Sequence, residues 1–211
     1  KRSQASHETE DSRVREVVAK MIERIRTLGE PAAEEYARTL DDWQGNFVLT
    51  QDKKAALIAE VSDQDKEDIG FAHTQVKRFA EAQRTSLTEF EIETEPGVRL
   101  GQRIVPVDCA GCYVPGGRYA HAASAIMSIA TAKVAGVPFV VAASPPRNGS
   151  ISPQVVYAMD LAGADIILEM GGVQAVASMA FGLFGTRPAD ILVGPGNSYV
   201  AEAKRLLFGE V

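Results

Sequence analysis

Four glycine- or proline-rich turns in this chain stand beside polar side chains that could do chemistry. Gly171-Gly172 is followed by Gln174, and Gly194-Pro195-Gly196 by Asn197. Pro115-Gly116-Gly117 leads into Arg118, Tyr119 and His121, and Ser144-Pro145-Pro146 makes the fourth turn. A glycine turn can bring backbone amides against a phosphate at a helix N-terminus. It is also what an α/β protein uses to leave a strand sharply. One such turn reads as a strand exit, whereas four in a row weigh evenly between strand exits and a ligand site. Gln174 and Asn197 lie just past two of them and are the first candidates for ligand contact. Arg118 offers a planar, always protonated fork for an anion, and His121 could add a second donor. The chain contains no G-x-G-x-x-G, so the common dinucleotide fingerprint is absent.

Other reactive residues give less. Cys109-Ala-Gly-Cys112 has redox or half-zinc spacing, but no second pair accompanies it and it does not open a helix, so it reads as packing. His7 and His73 sit in charged helical surroundings and read as solvated. Three scattered histidines assemble no metal site. No G-x-S-x-G or other nucleophile–base pair is present. The chain is therefore assigned no catalytic residue and no metal ligand of its own.

The elements that must position the turns follow from hydrophobic periodicity. Residues 165–170 and 190–193 are short apolar runs with β-branched residues, and each stops at a glycine turn. Residues 173–181 and 198–208 then read as helices. Two earlier units have the same rhythm: residues 112–114 before a helix near Ala122–Val134, and residues 139–142 before a helix started by Ser152-Pro153. Strands alternating with helices imply a parallel sheet covered on both faces, with ligands at the carboxyl ends of its strands. Before residue 110 the pattern is helical. Val14, Val17, Val18, Met21, Ile22, Ile25 and Leu28 form one stripe closed by Gly29. Pro31 opens a second helix through Leu40, and residues 41–46 form a turn. Thr50 and Ser62 cap a third and a fourth helix. In the fourth, Ile69, Ala72, Val76, Phe79 and Ala80 are expected to face the core. Residues 98–107 are expected to be extended. The division falls near residue 110: a helical part over 1–110 and a βα part over 111–211.

Composition narrows the function classes. The 211 residues are 45% hydrophobic and 24% charged, with a net charge of −6. Residues 110–211 hold six Lys/Arg and six Asp/Glu, so the negative excess falls before them. An acidic front half and a neutral βα half argue against nucleic acid as a partner, which calls for a basic face. No stretch reads as a transmembrane helix and the N-terminus carries no apolar signal core, so the expected location is cytoplasmic, with no membrane partner. Two cysteines fit a reducing compartment.

Four motifs in order, Gly111-Cys-Tyr-Val-Pro-Gly-Gly117, Ala132-Lys-Val-Ala-Gly136, Gly171-Gly-Val-Gln-Ala-Val176 and Gly194-Pro-Gly-Asn-Ser-Tyr-Val-Ala-Glu-Ala-Lys-Arg205, resemble the histidinol dehydrogenase family. Within it, Gly117-Arg-Tyr-Ala-His-Ala-Ala-Ser124 and Phe181-Gly-Leu-Phe184 are most similar to the sulfopropanediol dehydrogenases. The resemblance implies Rossmann-like lobes and an NAD-dependent, zinc-containing homodimer that takes an alcohol through an aldehyde to a carboxylate. The implied substrate is sulfopropanediol or a similar small polar diol, with histidinol as the alternative. Tyr113, Gln174 and Asn197 match the family's NAD-contacting positions, and Arg118 and His121 are expected to bind the substrate, with the cofactor's pyrophosphate as the competing contact. In the family, chain that follows the last helix supplies the zinc ligands and a glutamate–histidine acid/base pair and packs on the N-terminal part. With its end at Val211 and no initiator methionine, this sequence is expected to be a fragment that lacks them. On that reading it is inactive alone, with part of the first helical stripe uncovered. A non-catalytic nucleotide-binding or dimerising fragment is the competing reading.

Overall fold

The computed structural model describes the backbone of residues 4–116 and 121–211, and side chains from Ser12 onward. Four helices come first: α1 (Gln4–Leu28), α2 (Glu30–Leu40), α3 (Gln51–Ala59) and α4 (Asp63–Thr85). Thr50 Oγ1 accepts from the Lys53 N–H at 3.3 Å and Ser62 Oγ from the Asp65 N–H at 3.1 Å, so both expected caps form. Pro31 stands in the first turn of α2. In the α1 stripe Val18, Met21, Ile22 and Ile25 are buried, while Val17 and Leu28 remain 46% and 53% exposed.

The expectations for α4 and for residues 98–107 need correction. Phe79 does not face the core and is 67% exposed; α4 buries Ile69 and Ala80, and Phe79, next to Ala80 in sequence, stands about 100° around the helix from it. The extended stretch is also not one run through residue 107. It is a hairpin of β1 (Phe90–Glu95) and β2 (Val98–Gln102), antiparallel and exposed along both strands. Pro96-Gly97 makes its turn, with Gly97 at φ 83°.

The remaining strands form one sheet. β3 (Cys109–Tyr113), β4 (Phe139–Ser144), β5 (Ile166–Glu169) and β6 (Ile191–Val193) lie in the order β5-β4-β3-β6, and every pair is parallel. Between them run α5 (Ala122–Val134), α6 (Pro153–Ala162) and α7 (Gly172–Phe181), with α8 (Ser198–Leu206) after β6. The first expected strand thus begins at Cys109 rather than at Cys112. Ser152 precedes α6 as expected, but its hydroxyl donates to Gln154 Oε1 instead of capping a backbone N–H. The fold is the α/β arrangement the alternation implies, with a helical front half.

Strand alternation divides the core in two. Cys109, Tyr113, Val141, Ala143 and Leu168 pack with α7, α8 and α1. Ala110, Cys112, Val140, Ala142 and Ile167 pack on the other face with α5, α6 and the inner sides of α3 and α4. Cys109 and Cys112 therefore point to opposite faces, which removes a shared disulfide or shared metal. Burial pushes the Cys112 thiol up to about 12. The front half also closes the free side of β5. Leu49 N–H donates to Ile167 O at 2.9 Å and Glu169 N–H to Phe47 O at 2.8 Å, with Val48 bridging antiparallel to Leu168.

Candidate functional site

The chain builds β3, β4 and β5 in one direction across the sheet and then crosses back to lay β6 on the other side of β3. That reversal opens a crevice at the carboxyl ends of β3 and β6, where parallel α/β sheets take their ligands. A cleft of about 990 Å³ lies there. Its walls come from the end of β3 (Tyr113), the first turns of α5 and α7, the segment after β6, and α1 and α2 of the front half.

Tyr113, Gln174, Asn197 and His121 all line this one cleft. Arg118 lies outside the described residues. Each of the first three is held by a hydrogen bond of its own. Tyr113 Oη accepts from the Gly172 N–H at 3.2 Å. Gln174 Nε2 donates to Asp41 Oδ2 at 2.9 Å. Asn197 Oδ1 accepts from the Val200 N–H at 3.1 Å, capping α8. Left over are donors on Tyr113 Oη, Asn197 Nδ2 and the second N–H of Gln174 Nε2, and an acceptor in Gln174 Oε1. Burial pushes the Tyr113 phenol above its ordinary value, and the Asp41 charge adds to this against the opposing Gly172 hydrogen bond, so the hydroxyl stays protonated at neutral pH. His121 is the N-cap residue of α5 but makes no side-chain cap bond, which leaves its ring for the cleft.

The glycine turns prove to be packed against one another. A Cβ on Gly171 would lie 2.6 Å from Pro145 Cβ, and one on Gly116 would lie 2.4 Å from Pro145 Cγ. Three strand exits thus meet around one proline ring, and only residues without a side chain let them do so.

Sequence reasoning missed Asp41, which it placed in a simple turn. Its Oδ2 accepts both from Gln174 and from the Gly171 N–H at 2.9 Å. Burial raises the Asp41 carboxyl above its ordinary value, although both hydrogen bonds oppose the shift. A contact between residues 41 and 171 leaves no local signal in the sequence. Nearby, Glu169 is fully buried at the end of β5, and Lys53 Nζ donates to its two oxygens at 2.8 and 3.0 Å while lying 4.4 Å above the Trp43 ring.

Among the described residues no three His, Cys, Asp or Glu side chains converge to hold a metal ion, so these residues do not make the zinc site that the resemblance implies. No helix among them is long and apolar enough to cross a membrane.

Comparison with known proteins gives a consistent result. The family model described as Histidinol dehydrogenase matches residues 4–211. A histidinol dehydrogenase homolog of Ruegeria pomeroyi is 55% identical over 93% of this chain and 46% of its own length. The sulfopropanediol 3-dehydrogenase of the same organism is 51% identical over 100% of this chain and 49% of its own. The crystal structure of histidinol dehydrogenase from Elizabethkingia anophelis superposes with a TM-score of 0.85 at 29% identity, over 92% of this chain and 45% of that one. The chain spans about half the length of the curated relatives it matches.

Proposed function

This chain belongs to the histidinol dehydrogenase family, and from that premise we propose that its cleft is the NAD site of a cytoplasmic alcohol dehydrogenase. The observation that carries the reading is the convergence of Tyr113, Gln174 and Asn197 on one cleft at the strand-order reversal. Their leftover groups suit a nucleotide. The Tyr113 hydroxyl and Asn197 Nδ2 can donate to phosphate or ribose oxygens, and Gln174 Oε1 can accept from a hydroxyl or amide. When bound, NAD supplies a hydride acceptor. The apolar part of the cleft wall, including Val17, Met21, Tyr36 and Val173, covers the bound molecule and limits water around it.

The substrate we propose is sulfopropanediol or a similar small polar diol, oxidised to the carboxylate. The 51% identity to a sulfopropanediol 3-dehydrogenase supports it. A sulfonate is anionic at any physiological pH, so Arg118, together with His121 of the cleft wall, is the donor set we propose for it. Histidinol is the second reading, favoured by the likeness to the Elizabethkingia anophelis enzyme. Removing hydride from an alcohol also requires a base for the hydroxyl proton and a group to polarise its oxygen. We assign those roles, and zinc, to the part of the family's length that this chain does not span, and we assign the protein a homodimeric state. The 211-residue chain then binds NAD without turning over either alcohol.

Calorimetric titration with NAD tests the core of this proposal. Tyr113→Phe and Gln174→Ala should each weaken binding by roughly five- to tenfold, the size of one hydrogen bond. Binding that ignores both substitutions would place the nucleotide elsewhere. NADH production from either alcohol by the isolated chain would overturn the assignment of proton transfer to other sequence.

A further inference from the structure

Gln174 is 1% exposed, yet its Oε1 makes no hydrogen bond. Buried acceptors are rarely left so, because they lose water and gain nothing in return. The other end of the same carboxamide is held by a single acceptor. Asp41 Oδ2 accepts from Gln174 Nε2 at 2.9 Å and, with the same atom, from the Gly171 N–H at 2.9 Å. An ionised carboxylate has no donor, so only the nitrogen of the carboxamide can face it. The amide cannot invert without setting two oxygens against each other. Gly172 and Gln174 both line the cleft, and a Cβ on Gly172 would stand 3.0 Å from Oε1. The side of the oxygen next to the glycine turn therefore carries no side-chain atom from residue 172.

We infer that Asp41 is a positioning residue of the nucleotide cleft, holding the Gln174 carboxamide so that the cleft offers an acceptor at the Gly171-Gly172 turn for a neutral N–H or O–H group of the ligand. The inference rests on the nucleotide reading above and deepens it. The matching groups on NAD are the nicotinamide carboxamide, the adenine amine and the ribose hydroxyls. An anionic oxygen is unsuited to this corner, since both Oε1 and the Asp41 carboxylate would repel it. The pyrophosphate is therefore better placed toward Asn197 Nδ2 than at this corner.

The test is a double-substitution cycle on the 211-residue chain, read by calorimetric titration with NAD. Asp41→Ala should weaken NAD about tenfold when Gln174 is present and change it less than about twofold in the Gln174→Ala background. Asp41→Asn keeps an oxygen at the shared position and should stay within about threefold of the unmodified chain. A merely structural Asp41 would lower the unfolding temperature in both backgrounds and weaken NAD equally in both, which overturns the inference. AMP and nicotinamide mononucleotide, titrated separately, show which half of NAD meets Oε1; the Asp41→Ala loss should appear with one of them. An equal loss with both counts against a single donor group. A second readout needs no nucleotide. The Gln174 side-chain NH₂ resonances should be shifted and slow to exchange in the unmodified chain and lose both features in Asp41→Ala. Unchanged resonances overturn the inference whatever NAD does. Asp41-dependent resonances in a chain that binds no NAD would instead sink the nucleotide reading and leave the positioning role standing.

Discussion

Replacing Lys53 with Met should destabilise the protein out of proportion to a surface lysine. Glu169 is 0% exposed, and Lys53 Nζ donates to its two oxygens at 2.8 and 3.0 Å. Met keeps the apolar stem beside Trp43 but leaves a buried carboxylate without its cation. Removing one partner of a fully buried pair costs about 3–5 kcal/mol. Lys53 retains 32% side-chain exposure, so water reaches the vacated place and the loss should fall at the lower end, about 3 kcal/mol. For a chain of this size that lowers the midpoint by roughly 6–12 °C. The pH dependence identifies the cause. Burial already raises the Glu169 carboxyl above its ordinary 4.5 while Lys53 opposes the shift, so losing Lys53 raises it further. A carboxyl with a raised folded-state value binds its proton more tightly when folded, and stability falls as pH rises through that window. The deficit should therefore be full at pH 7 and shrink below about 1 kcal/mol near pH 4, where Glu169 is protonated in both states. Urea unfolding followed by circular dichroism at the two pH values measures it. Lys53→Met/Glu169→Gln should recover most of the loss. A deficit under about 1 kcal/mol at pH 7, or one equal at both pH values, would refute the buried-pair account.

Other outcomes follow from the same structure. A Cβ on Gly194 would meet the Tyr113 carbonyl oxygen at 2.0 Å at a φ of +117°, so Gly194→Ala should strain the β3–β6 join by about 1–3 kcal/mol and weaken NAD binding with it; an unchanged midpoint would count against this close approach. Burial raises the Asp41 carboxyl above its ordinary 3.8, so its contribution to stability is present at low pH and lost as pH rises through the raised value. Asp41→Asn should remove that slope and gain on the unmodified chain as pH rises above 3.8; parallel curves would refute it. Cys109 and Cys112 are both buried and on opposite faces, so a thiol reagent should label neither rapidly before unfolding, and an oxidant should form no intrachain disulfide, as mass spectrometry of the oxidised chain would show.

What could be read from the sequence was what is local. Thr50 and Ser62 announce helix starts because a cap needs only the next three residues, and both side chains cap as expected. The four βα units were legible because each strand stops at its own turn. Phe79 was misplaced because its spacing from Val76 fits the stripe, while its burial depends on which side of α4 meets α5 and α6, which spacing along one helix does not record. The β1 strand was overlooked although Phe90-Glu-Ile-Glu-Thr-Glu95 alternates before Pro96-Gly97; with both faces exposed, alternation there marks no buried side. Asp41 and the Lys53–Glu169 pair were out of reach, since each joins residues more than a hundred positions apart.

Those long-range contacts also explain why the acidic front half stands beside the neutral βα half. Two of its pieces end on the exit of β5. Asp41, at the end of α2, holds the turn after β5, and Lys53 in α3 neutralises the last residue of β5. Residues 47–49 pair with the free edge of β5 between those two points, and α1 lays Val18, Met21 and Ile22 into the core shared with α7 and α8. A parallel sheet leaves its strand ends open, and a glycine turn alone has no side chains to fix its conformation. The front half supplies those side chains. A ligand at the strand-order reversal would then rest on the βα half for backbone amides and on Asp41, through Gln174, for the orientation of the acceptor that meets one of its donors. A change in the α2–α3 segment should accordingly alter ligand affinity without touching a single residue after position 110.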